Sequence, residues 1–170
     1  MHIDDNHMYH GAALIQIAED DRFTAINEMK IGKVKYRDVF RINDDIGIFL
    51  KYAGKPSKNR HKEYLFTFDK NDRAEIKSTG EHVKRLFLAL VCVKAKQICC
   101  MSKDEFWELI TRRINAYGSE EEQIQILITA NKNEAFHAYV NYPGARGVMA
   151  GKKPLIISRN LFPSGIFQEG

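Results

Sequence analysis

No stretch of this 170-residue chain reaches about 18 consecutive apolar residues, so no helical membrane span is expected. The first residues, Met1-His-Ile-Asp-Asp-Asn-His7, have neither the basic start nor the apolar centre of a signal peptide, which points to a cytoplasmic protein. Cysteine is scarce as well. The three present, Cys92, Cys99 and Cys100, are odd in number and sit in an apolar stretch, an arrangement that argues for reduced, buried thiols rather than a disulfide framework. Their spacing, with no histidine near in sequence, argues against zinc. The Gly-Lys-Ser/Thr ending of a phosphate-binding Walker loop is absent. Ser, His and Cys fall in no recognised nucleophile context. Without an internal repeat or a long linker, residues 1–170 are expected to form a single domain, and nothing in them sets an oligomeric state.

With 44% hydrophobic and 28% charged residues, the chain has the composition of an ordinary globular protein. Its most apolar part is Leu86 to Val93, eight residues without alternation, followed by Lys94-Ala-Lys-Gln97 and then Ile98 to Met101. A run of that length with charge at both ends predicts a strand covered on both faces, returning through a hairpin. Three-to-four spacing of Met8, Ala12 and Ile15 predicts a helix over residues 5–19. Ser102-Lys-Asp-Glu105 is a capping box, and Phe106, Leu109, Ile110 and Ile114 form the stripe of the helix it opens, which Gly118 ends.

Alternation over residues 36–42 and 46–53, and again over 63–68, predicts three strands joined as an antiparallel meander. A more polar segment, 69–83, reads as a helix interrupted at Gly80. Strands are expected at 123–129 and 135–141, and an edge strand at 155–158, with a glycine-rich basic loop from Tyr142 to Pro154 between the last two. The expected fold class is α+β, a single domain with a central, mainly antiparallel sheet and flanking helices.

The net charge is only +4, but between Lys30 and Lys62 ten Lys or Arg face three Asp. Charge of that density attracts phosphate backbones or acidic protein surfaces. Lys51, Lys55, Lys58, Arg60 and Lys62 are therefore the candidate nucleic-acid contacts. Arg146, Lys152 and Lys153 join them because the glycines around them let backbone and cation approach phosphate closely.

Helix, three-strand meander, helix, central strand: over residues 5–93 this element order resembles the core of the restriction-endonuclease-like nucleases, the PD-(D/E)XK group. That resemblance implies a carboxylate early on the second meander strand, matched by Asp45 or Asp44. It also implies an acidic-x-Lys triplet on the third strand, matched in its acid by Glu63, and a helical glutamate, matched by Glu19. The motif is degenerate, because the triplet here reads Glu63-Tyr64-Leu65 and the lysine falls at Lys51, one strand earlier. On this resemblance Asp45, Glu63, Lys51 and Glu19 are the catalytic candidates, with Asp45 and Glu63 holding magnesium if the chain is catalytic. Asp45 and Lys51 share a strand face but lie roughly 20 Å apart along it at about 3.3 Å per residue. The sequence thus favours a nucleic-acid-binding domain, DNA or RNA, over its alternatives. Those are a magnesium-dependent nuclease and a non-catalytic domain that docks an acidic protein. His7 and His10, three apart on the first helix, are a weaker metal pair, and His137 has no visible partner.

Overall fold

The computed structural model describes residues 1–58, 62–151 and 153–169; of Arg146 it describes the backbone alone. Arg60 and Lys152 lie outside the described residues. The elements, in chain order, begin with α1 (Asp5–Ala18), β1 (Ile26–Ile31), β2 (Val34–Ile42), β3 (Ile46–Ala53) and β4 (Glu63–Asp69). Then come α2 (Lys70–His82), β5 (Arg85–Cys92), β6 (Gln97–Ser102) and α3 (Lys103–Tyr117). The last part holds β7 (Gln123–Thr129), β8 (Phe136–Tyr139), β9 (Asn141–Tyr142), β10 (Ala145–Met149) and β11 (Leu155–Ile157), with a 3₁₀ turn at Ser164–Phe167. No helix among the described residues is long and apolar enough to cross a membrane.

The fold is α+β, as expected, but its strands form two main sheets rather than one. The first is mixed, in the order β1-β2-β3-β5-β6; the second is antiparallel, in the order β11-β8-β7-β4; and β9 with β10 makes a small hairpin. The meander is therefore β1-β2-β3, while β4, expected as its third strand, leaves for the second sheet and pairs along its whole length with β7. The reason is the face that β4 buries. Tyr64, Phe66 and Phe68 enter a core that also takes Ile124, Ile126 and Ile128 from β7, so both strands turn their apolar sides to the first sheet together. The place beside β3 goes to β5, in parallel, reached through β4 and α2.

β5 explains its own lack of alternation. Leu86, Leu88 and Leu90 face the second sheet, whereas Ala89 and Val91 join Ala13 and Ile17 of α1 on the opposite side. A strand with apolar partners on both faces has no polar position to alternate with. Gly80 does not interrupt α2, because the helix continues to His82 and a Cβ at Gly80 would come 3.1 Å from the Lys103 side chain. A larger residue there would require the Lys103 side chain to shift by a few tenths of an ångström.

Candidate functional site

Strand direction collects lysines at one end of the molecule. β3 and β5 run parallel and end side by side at Ala53 and Cys92. The chain beyond each stays together: Val93 donates its amide to Ala53 O at 3.0 Å and Lys94 to Gly54 O at 3.1 Å. The second sheet closes on the same corner, where the Tyr64 hydroxyl accepts from the Ala95 amide at 2.9 Å and Ser57 N donates to Glu63 O at 2.8 Å. The loop after β3 and the β5–β6 turn are thereby locked into one surface carrying Lys55, Lys58, Lys62, Lys94 and Lys96, all exposed. The β1–β2 hairpin points its turn the same way, because β2 is antiparallel to β3, and adds Lys30, Lys33 and Lys35. Lys132 follows β7 on the loop that leaves the Glu63 corner.

Few of these charges are answered. Lys35 pairs with Glu28 at 2.5 Å, but among the described residues Lys55, Lys58, Lys94 and Lys96 make no ion pair. Elsewhere, several cations are paired. Lys51, Lys70, Arg73, Arg85, Arg112 and Arg113 each face a carboxylate within 4.0 Å.

The catalytic candidates do not converge. Asp45 sits at the start of β3, where Arg85 Nη2 lies 3.7 Å from its carboxylate. Glu63 is buried beyond the far end of the same strand, accepting from the Tyr139 hydroxyl and from Ser57 Oγ at 3.0 Å. Eight residues of strand separate the two, about 25 Å. Burial, reinforced by the bond to Glu63, pushes the Tyr139 hydroxyl pKa up, so this phenol stays protonated. Glu19 is the exposed C-cap of α1. Lys51 is turned inward, against its assignment as a surface contact. Its ammonium is 3.1 Å from Asp72 Oδ2 and lies over the rings of Phe49 and Phe68, tying β3 to the first turn of α2.

The weaker histidine pair divides in the same manner. His7 Nδ1 accepts from the Asp4 amide in the capping box of α1, while His10 is buried against Tyr52 and Asp38, with its Nδ1 3.8 Å from the Asp38 carboxylate. Burial holds the His10 pKa below the usual imidazole range. Among the described residues, no three His, Cys, Asp or Glu side chains are placed to share a metal ion.

Of the sequence-level binding candidates, the structure groups Lys55, Lys58 and Lys62. Lys153 is exposed on the loop after β10, and its carbonyl accepts from Arg112 Nη1 at 2.7 Å. Lys94 and Lys96 were missed as contacts. Their hairpin was legible, but nothing in the sequence says that its turn meets the loop after β3. No family model, no curated protein and no solved structure matches this chain.

Proposed function

We propose that the lysine-rich end binds the phosphate backbone of a nucleic acid, without hydrolysing it. One observation carries this: exposed lysines without ion-pair partners, Lys55 and Lys58 on one loop and Lys94 and Lys96 on another, are held together by backbone hydrogen bonds on a surface where most neighbouring charge has the same sign. Keeping such charges adjacent without counter-charge costs electrostatic energy that a polyanion relieves, and the release of its condensed counterions supplies much of the binding free energy. The spread of the lysines over separate loops suits a repeating line of phosphates better than a single anion. Catalysis through Asp45, Glu63 and Lys51 finds no support in their separation.

Fluorescence anisotropy with labelled DNA and RNA, titrated across salt concentrations, tests the proposal. Log affinity should fall linearly with log salt, and the double change Lys94→Gln, Lys96→Gln should flatten the slope by about 0.7 to 0.9 for each phosphate contact removed. Lys84→Gln is the control, since Lys84 is exposed beside Asp45 at the opposite end and should leave the slope unchanged. Affinity that does not respond to salt, or a slope equal in both variants, would overturn the proposal. Binding to an acidic protein with none to either nucleic acid would do so too.

A further inference from the structure

The outer face of the second sheet, turned away from the core, carries side chains that the phosphate contacts do not use. Register places Glu63 opposite Thr129, and Thr129 opposite His137, in one row across β4, β7 and β8. Tyr139 stands in the next row, opposite Leu127. The β9–β10 hairpin closes over this row, with Gly147 at a positive φ of 78°. Between hairpin and sheet is a pocket of about 300 Å³ lined by Thr129, Asn131, His137, Tyr139, Met149 and Pro154.

Its walls divide by chemistry. Tyr139, Met149 and Pro154 offer flat or polarizable apolar surface, and Thr129, Asn131 and His137 offer a hydroxyl, an amide and an imidazole at its edge. Thr129 is 8% exposed, and its hydroxyl oxygen is buried with no hydrogen-bond partner. A buried hydroxyl left unpaired costs free energy that a small adjustment toward a polar ligand would recover. The tyrosine is fixed rather than adaptable, because Glu63 holds its hydroxyl from below. Exposed lysines border the pocket, Lys132 one residue beyond Asn131 and Lys153 immediately before Pro154. An apolar slot with donors and acceptors along one edge and cations outside matches a heterocyclic base whose phosphate stays at the rim. A purely apolar ligand would leave the polar edge unanswered, and a free phosphate would leave the apolar walls of Tyr139, Met149 and Pro154 without a partner.

We infer that this pocket admits one unpaired nucleobase, so that the protein prefers single strands, or unpaired positions, to continuous duplex. The inference rests on the phosphate-binding proposal and adds what that proposal leaves open, the class of nucleic acid. In duplex the bases are stacked and paired, and a base has to leave the helix to reach the slot. The salt-dependent term is available to either form.

Three probes of equal length separate the contributions: a single strand, its duplex, and a single strand of abasic sites that keeps backbone and flexibility but has no bases. The single strand should bind at least about fivefold more tightly than either of the others, the effect of one stacked base. Met149→Ala and, separately, His137→Ala should each bring the single strand closer to the abasic strand, in proteins shown by circular dichroism to remain folded. Equal affinity for all three probes with salt dependence retained overturns the nucleobase pocket and leaves phosphate binding intact. An unaltered preference for bases in both variants overturns the assignment to this pocket. Salt-independent or absent binding of all three overturns this inference together with the proposal beneath it.

Discussion

The three cysteines sit where ionisation is most expensive. Cys92, Cys99 and Cys100 are all buried in the paired strands β5 and β6, and burial pushes the thiols of Cys92 and Cys100 from the ordinary 9.0 up to about 12. Cys99, in the core between the sheets, is raised well above 9.0 by the same cause. Only the thiolate attacks an alkylating agent, so iodoacetamide at pH 8 should leave the native protein unlabelled and label it fully in denaturant, as counted by mass spectrometry. The sign of the pH effect follows. Below about pH 9 folded and unfolded chains both keep these protons and stability is indifferent to them. Between 9 and 12 the unfolded chain releases them first, and the urea midpoint should fall as pH rises. Cysteine burial was legible from the apolar run that contains all three. Lys51 shows the opposite case: a lysine in an alternating strand reads as surface, and its partner Asp72 lies on an element whose position the local pattern does not contain.

Helix α3 was the most legible element, because its signals are local. Ser102 Oγ accepts from the Glu105 amide at 3.1 Å, Glu105 Oε1 accepts from the Ser102 amide at 2.9 Å, and Gly118 ends the helix at φ 95°. Ser102→Ala removes the first bond and should lower stability by about 1 kcal/mol in urea denaturation. Strands were legible as segments but not as partners. Residues 123–129 were expected and are β7, and residues 63–69 carry the alternation of a strand, yet nothing in that alternation chooses between β3 and β7 as neighbour. The choice depends on which core can take Phe66 and Phe68. The glycine-rich stretch after Asn141 was expected to be a loop and contains a short hairpin, because its two-residue pairing with a register shift gives no period to read.

At the scale of the molecule, the basic surface is a product of topology. Lys55 and Lys94 are 39 positions apart, and only the parallel alignment of β3 with β5 puts the segments that follow them in contact. The excess between Lys30 and Lys62 was visible in the sequence, whereas the surface it helps to form was not. The catalytic expectation needed residues 45, 51 and 63 to converge; the length of β3 keeps Asp45 from Lys51, and β4, which carries Glu63, pairs in the second sheet instead of beside β3.

That departure also bears on how the chain is made. By the time Gly118 has been synthesised, the first sheet and the three helices are all present, but β4 still lacks β7, its hydrogen-bonding partner. A nascent chain of that length holds the backbone edge of β4 open, with Tyr64, Phe66 and Phe68 awaiting half of their core. A fragment of residues 1–118 should therefore self-associate, with light scattering that rises with concentration. A separately added fragment of residues 119–170 should suppress this by supplying β7 in trans. The completed protein carries, in the strand where its two sheets were joined, a trace of the interval when translation had delivered one side of the pairing and not the other.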